Sequence, residues 1–274
     1  MFANRININE SDLITGEKFA HACDSMFFHY DYMNRNPVSG NQRVIYADTH
    51  KYEEIIQQLP PNRSFTLVTH NSDRNVDDGM VANLPKNVTK WFSQNVCSND
   101  PRVTCLPIGL ENNRWFPEVS KKTKIISHRK SSKLPSKLMY VNHAVWTNPS
   151  ARQPVYDLFQ DKSWATCVLN SKNGIAFDDY VDSILDHFFI ASPNGNGSDC
   201  HRTWEVLYLN RVPIVTRNGK QAEAMFEGLP VLLIDSWDQI TEDFLRSKMN
   251  YFMTSKFRGF EKLKIDYWLR LIKG

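Results

Sequence analysis

The sequence predicts an α/β protein built from two parallel-sheet domains, and three observations predict it. Over residues 138–250, short runs rich in apolar and β-branched residues alternate with segments of helical periodicity, the pattern of a parallel sheet covered on both faces. The first part of the chain repeats the alternation with tighter spacing and shorter helices. At 274 residues and 41% hydrophobic content, the chain is also long enough to bury two cores.

Taken in order, the first domain (1–117) has expected strands at 26–32 (MFFHYDY), 43–48 (RVIYAD), 65–73 (FTLVTHNSD), 88–95 (VTKWFSQN) and 103–109 (VTCLPIG), with a helix at 51–59 (KYEEIIQQL). Residues 118–137 hold seven Lys or Arg against one Glu. This run is rich in Ser and Lys and has no interleaved aromatics, so it predicts a basic, solvated linker rather than a nucleic-acid platform. In the second domain (138–274), strands are expected at 138–141 (LMYV), 164–169 (WATCVL), 187–192 (HFFIAS), 212–215 (VPIV) and 230–235 (PVLLID). Helices are expected at 149–160, 177–185, 199–209 and 219–227. The terminal segment sets Phe257, Phe260, Leu263, Trp268 and Leu271 at helical spacings among Lys and Arg. It reads as a docking helix, with a membrane-surface helix as the weaker alternative.

Composition narrows the function classes. The formal charge is +3, much of it in the linker. Five cysteines, Cys23, Cys97, Cys105, Cys167 and Cys200, are widely spaced with no C-x-x-C pair, which speaks against zinc and a disulfide framework. No apolar signal-like run opens the sequence and no stretch approaches 18 apolar residues, so a cytoplasmic setting without a membrane span is expected. The sequons at Asn62, Asn87 and Asn196 are then chance matches.

The densest chemistry lies in HFFIASPNGNGSDCHRTWEVLYLNRVPIV (187–215). A strand runs into a glycine loop and then a helix, the place where parallel sheets bind ligands. Gly195 and Gly197 permit positive φ and close backbone approach. Ser198 or Asp199 is a candidate helix cap, and free N–H groups at the helix start favour an anion. Arg202 adds a donor fork suited to phosphate, and Glu205 an acceptor for sugar hydroxyls. The plainer alternative is an ordinary Asn-Gly turn with an Arg202/Glu205 surface pair. The loop is not G-x-G-x-x-G, because position 200 is Cys, and no G-K-[ST] follows. Hydride transfer and P-loop hydrolysis lose ground accordingly.

This stretch resembles the signature region of exostosin-like glycosyltransferases. There a strand ends in Ser/Cys-Pro-x-Gly, Asp-x-x-Arg-x-Trp-Glu opens a helix, and a Pro-Ile-Val strand follows. YVNHAVWTNPSARQPVYDLF (140–159), with Asn142 at a strand end and Arg152 opening a helix, is compatible with the first β–α unit of the same domain. Beyond 138–235 the resemblance is faint, and it is to a small, soluble, virus- or microbe-type member. It implies a GT-B fold, two Rossmann-like domains facing across a cleft, and inverting, metal-independent sugar transfer. The donor would be a nucleotide diphosphate sugar, with uridine as the expected nucleoside, and the acceptor a glycan hydroxyl. On this resemblance Arg202 neutralises the departing diphosphate, Glu205 binds ribose or sugar, and Asn194, Gly195, Asn196, Gly197 and Ser198 supply backbone donors. No Asp-x-Asp occurs in the chain, so no metal or other cofactor is expected. Helix dipole and Arg202, with Arg152, take over the electrostatic work.

Inverting transfer needs a proton acceptor, expected at a strand end in the first domain. His70-Asn71-Ser72-Asp73 offers one. Asp73 is the first choice, His70 the second and Asp31 the third, while turn formation or capping by Asp73 stays open as the plainer role. Glu111 and Arg114, in LPIGLENNRW (106–115), are candidates for contacts to either sugar or for a loop ion pair. A non-catalytic nucleotide-sugar or glycan-binding module of the same fold is the alternative function; such a module would not require Asp73 or Asp31.

Overall fold

The computed structural model describes residues 6–28, 38, 40–113, 120–129, 133–169 and 174–274. Among them the chain forms two five-stranded, wholly parallel sheets with ten α-helices.

The first sheet holds β1 (Ser25–Phe27), β2 (Val44–Asp48), β3 (Phe65–His70), β4 (Val88–Ser93) and β5 (Val103–Cys105), side by side in sequence order. β3 occupies the centre, and every residue of FTLVTH except Thr66 is buried, as a strand covered on both faces requires. α1 (Gly16–His21) packs on β1, β2 and β3, and α2 (Tyr52–Gln58) on β2. α3 (Asp78–Ala82) is capped by Asp77, whose side chain accepts from Met80 N–H at 2.9 Å.

Between the sheets the expected linker is corrected. Ser120–Arg129 forms a helix, α4, that packs against later helices of the second domain and buries Ile125. Arg129, 5% exposed, donates to the carbonyls of Tyr208 at 2.6 Å and Ile6 at 3.1 Å. The basic residues thus decorate a docked helix. The Lys-rich composition concealed one buried arginine whose partners are backbone carbonyls distant in sequence.

The second sheet holds β6 (Lys137–Val141), β7 (Ala165–Cys167), β8 (His187–Ala191), β9 (Val212–Thr216) and β10 (Leu232–Ile234), in the order β10-β9-β8-β6-β7. The chain leaves β6 toward β7 and then returns to its other side for β8. This reversal makes a crevice at the carboxyl ends of β6 and β8, the usual ligand position in such sheets. The first sheet has no reversal, so loops rather than a crevice form its carboxyl end. α5 (Pro149–Phe159), α6 (Phe177–Asp186), α7 (His201–Tyr208) and α8 (Lys220–Phe226) follow their strands. β8, HFFIA, is buried throughout, and α7 buries Trp204 against Phe226 with ring centroids 5.9 Å apart.

α9 (Glu242–Thr254), which the strand pattern did not announce, is N-capped by Thr241. A 3-10 turn at Phe260–Leu263 then leads to α10 (Ile265–Lys273), which buries Trp268 and Ile272 and packs on α1. The buried Tyr208 hydroxyl ties these ends together. It accepts from Ile14 N–H at 3.0 Å and donates to the Leu263 carbonyl at 2.9 Å.

Several expected strands, among them 65–73, 88–95 and 103–109, run long by two to four residues at their carboxyl ends, and in the first two polar residues, Asn71 (φ 56°) and Asn95 (φ 55°), turn the chain out of the sheet. Of the segment 26–32, Met26 and Phe27 are strand, and residues 29–32 lie outside the described residues.

Candidate functional site

Loops from the carboxyl ends of both sheets enclose a cavity of about 660 Å³. From the first sheet come Asp73, after β3, and Ile108 and Glu111, after β5. From the second come Asn142, after β6, and Gly195, Asn196 and Gly197, after β8, with Arg202 and Glu205 on α7. A second cavity of about 280 Å³ adjoins it on the first-sheet side and shares Asp73, Ile108, Glu111 and His201.

The glycine loop is held from both domains. Arg152 donates Nε to the Asn194 carbonyl at 3.0 Å and Nη1 to the Ala144 carbonyl at 3.0 Å, and Asn148 Nδ2 donates to the Gly195 carbonyl at 2.6 Å. From the first domain, Asn95 Oδ1 accepts from Ser198 Oγ at 3.2 Å and from Asp199 N–H at 3.1 Å. Neither Gly195 nor Gly197 has positive φ, which corrects that expectation. They are needed for space: a Cβ on Gly195 would lie 2.9 Å from Arg152 Nη2, and one on Gly197 2.6 Å from Asn95 Nδ2. Asn194 and Ser198 do not line the large cavity. The Asn194 amide exchanges hydrogen bonds with Asn218, and Ser198 is turned to Asn95.

The helix start also differs from expectation. Cys200 is the N-cap and its side chain makes no capping bond. Asp199 instead receives N–H groups from Cys200 at 2.9 Å, from Ile108 at 2.8 Å and from the Trp204 indole at 2.8 Å, joining the two domains. Burial raises its carboxyl to about 6 despite these donors.

Arg202 and Asn142 line the cavity, and the buried Arg202 Nη1 has no hydrogen-bond partner among the described residues. Arg202 lies over the Tyr180 ring, 5.5 Å from its centroid, and the Tyr180 hydroxyl donates to Glu205 Oε2 at 2.7 Å. Burial and the Glu205 charge hold the Tyr180 phenol well above its ordinary range, so it remains a donor. Arg152, by contrast, uses its guanidinium on the loop, and burial lowers its pKa. Arg202 therefore brings a guanidinium to the cavity wall at the start of α7, and an oxygen-rich anion there would suit it.

Across the cavity, Asp73 is an exposed carboxylate on the wall of both cavities and accepts no hydrogen bond from the described residues. His70, 1% exposed, reaches only the smaller cavity; its Nε2 donates to the Pro107 carbonyl at 3.0 Å, and burial lowers its pKa to about 4. It is held as a neutral, structural ring. Asp31 and Arg114 lie outside the described residues. Glu111 lines both cavities.

Sequence reasoning missed Asn95, Tyr180 and His201 as parts of this site. His201 Nδ1 lies 2.8 Å from the Gly109 carbonyl, and Gly109 (φ 66°) packs so tightly that a Cβ would sit 2.4 Å from the Ile14 carbonyl. The left-handed Asn95 in an Asn-Val-Cys turn carried no signal, since its partner is a loop about a hundred residues later.

Among the described residues no group of three or more His, Cys, Asp or Glu side chains is placed to hold a metal ion, and no helix is long and apolar enough to cross a membrane. No protein-family model matches the chain, and no curated protein matches it significantly.

Proposed function

We propose that the protein is an inverting glycosyltransferase of GT-B type, moving a sugar from a nucleotide diphosphate sugar, with uridine as the nucleoside, to a glycan hydroxyl. The observation that carries this reading is Arg202 on the cavity wall beside the glycine loop, with Asn142 on the same wall and Arg202 Nη1 without a hydrogen-bond partner among the described residues. A diphosphate placed at the start of α7 would meet the Arg202 guanidinium and the positive end of the helix. The Tyr180–Glu205 pair beside it offers hydrogen-bonding groups to ribose or sugar hydroxyls.

In the proposed displacement, the acceptor oxygen attacks the anomeric carbon and the bond to the diphosphate oxygen breaks, its electron pair going to that oxygen. The hydroxyl proton passes to the Asp73 carboxylate, across the cavity from Arg202. Arg202 stabilises the charge that develops on the leaving group without a metal being required. Arg152 acts by positioning the loop.

The test is Asp73→Asn with a panel of nucleotide diphosphate sugars. Donor binding, read as a rise in Tm, should match the unmodified protein, while turnover should drop by at least about 100-fold. A chelator should leave the unmodified enzyme unaffected. Undiminished transfer by Asp73→Asn would refute Asp73 as the base, and the absence of any nucleotide-dependent Tm rise would refute the donor site.

A further inference from the structure

Arg202 and Glu205 stand three residues apart on α7, a spacing at which opposite charges meet on a helix surface. Pairing there would cancel the charge that the cavity wall presents. The structure holds no such pair. Among the described residues no ion pair or hydrogen bond joins the two side chains, and each is turned instead to a third group, Tyr180. The Tyr180 hydroxyl donates to Glu205 Oε2 at 2.7 Å, and the Arg202 guanidinium lies 5.5 Å from the centroid of its ring.

Tyr180 comes from another helix. α6 packs on β6 and β8 and buries Val181, Ile184 and Leu185, so the sheet fixes the phenol from outside α7. Burial and the Glu205 charge keep that phenol protonated, and it gives Glu205 a donor that carries no charge. Glu205 is thereby satisfied at Oε2, while Oε1 accepts no hydrogen bond among the described residues and lies on a side chain that lines the cavity. Arg202 rests on a ring face, which attracts a cation without occupying its N–H groups.

From these observations we infer that Tyr180 is a positioning residue that keeps Arg202 and Glu205 apart, so that the guanidinium stays available to a diphosphate and the carboxylate to a ribose or sugar hydroxyl. The inference deepens the transfer reading and rests on it for the identity of the ligand alone. Removing only the Tyr180 hydroxyl leaves Glu205 without its donor, and the Arg202 guanidinium, one turn earlier on the same helix, takes its place. A diphosphate must then break an ion pair before it can bind.

The test is Tyr180→Phe on the full chain, which keeps the ring against Arg202, with inorganic pyrophosphate and UDP as calorimetric probes. This change should raise the Kd for pyrophosphate about three- to tenfold, although the lost hydroxyl is bonded to Glu205 and not to Arg202. UDP should lose at least as much, because Glu205 is drawn away from its hydroxyls as well. The same change made on top of Glu205→Gln should leave pyrophosphate affinity within about twofold, since no carboxylate remains to capture Arg202. A crystal structure of unliganded Tyr180→Phe should place a Glu205 oxygen within about 4 Å of an Arg202 nitrogen. Unchanged pyrophosphate affinity in Tyr180→Phe, an equal loss on both backgrounds, or a Glu205 carboxylate that stays clear of Arg202 overturns the inference. If the unmodified protein binds neither probe, the transfer reading falls with its donor site, and the crystal structure still decides whether Tyr180 keeps the pair apart.

Discussion

Replacing Arg202 by Met separates a ligand-binding arginine from a structural one. Among the described residues Nη1 is buried without a partner, a situation that costs about 1–3 kcal/mol. The guanidinium over Tyr180, 5.5 Å from the ring centroid, offsets this by about 0.5–2 kcal/mol. Methionine removes both effects and keeps an apolar stem over the ring, so unfolding free energy should change by less than about 2 kcal/mol. Binding should respond quite differently. A charge-assisted bond to a diphosphate is worth about 1.5–3 kcal/mol, so the Kd for UDP should rise roughly 10- to 150-fold. Turnover should fall by a further factor of about 10² to 10³, because the bond strengthens as charge develops on the leaving oxygen. Urea unfolding, titration calorimetry with UDP and single-turnover transfer measure the three quantities. A Kd within threefold of the unmodified protein, or a stability loss above about 3 kcal/mol, would refute the assignment and make Arg202 a fold residue.

Three further outcomes are expected. Arg152→Ala should destabilise the free protein by about 2–4 kcal/mol, since it strips hydrogen bonds from buried loop carbonyls at Ala144 and Asn194; unchanged urea unfolding would contradict its positioning role. Gly197→Ala should weaken UDP binding by about tenfold or more, because the new methyl would meet Asn95 at 2.6 Å and push the clamp off Ser198 and Asp199; calorimetry showing full affinity would count against that clamp. Stability should also fall as pH drops from 6.5 to 4. Burial depresses His70 and His143 to about 4, so the stability of their neutral forms is present above 6.5 and lost as pH falls. Asp199, raised to about 6, acts the other way, its folded form gaining as pH falls from about 6. Two imidazoles outweigh one carboxylate, leaving a net loss on the order of 3 kcal/mol. Urea midpoints that stay level or rise between pH 6.5 and 4 would refute the balance.

The second domain was the more legible half. Its buried strands read as unbroken apolar runs, and the helices between them carried a clear period, so element type and order followed from residues 138–235. The first domain gave its strands but not their ends, because Asn71 and Asn95 turn the chain by adopting left-handed φ, which asparagine tolerates without advertising it. The basic run 118–137 misled for a related reason. Composition described the exposed face of α4, while its placement depends on Ile125 and on Arg129 bonding to Tyr208 and Ile6.

The candidate site divides along the same line. The strand, glycine loop and helix with Arg202 and Glu205 are local in sequence, so chain geometry alone placed them at a strand's carboxyl end. Which of those polar groups remains free was decided by tertiary structure. Arg152 is committed to loop carbonyls, His70 to Pro107, Ser198 and Asp199 to Asn95 and Ile108, while Arg202 Nη1 has no partner among the described residues. A hydrogen-bonding group's availability depends on every partner that folding brings within about 3 Å, and those partners here lie up to 104 residues apart. The sequence by itself determined the two sheets' strands and the loop proposed to meet an anion; only the packing of one domain on the other decided which polar groups are committed to partners and which residues line the cavity between them.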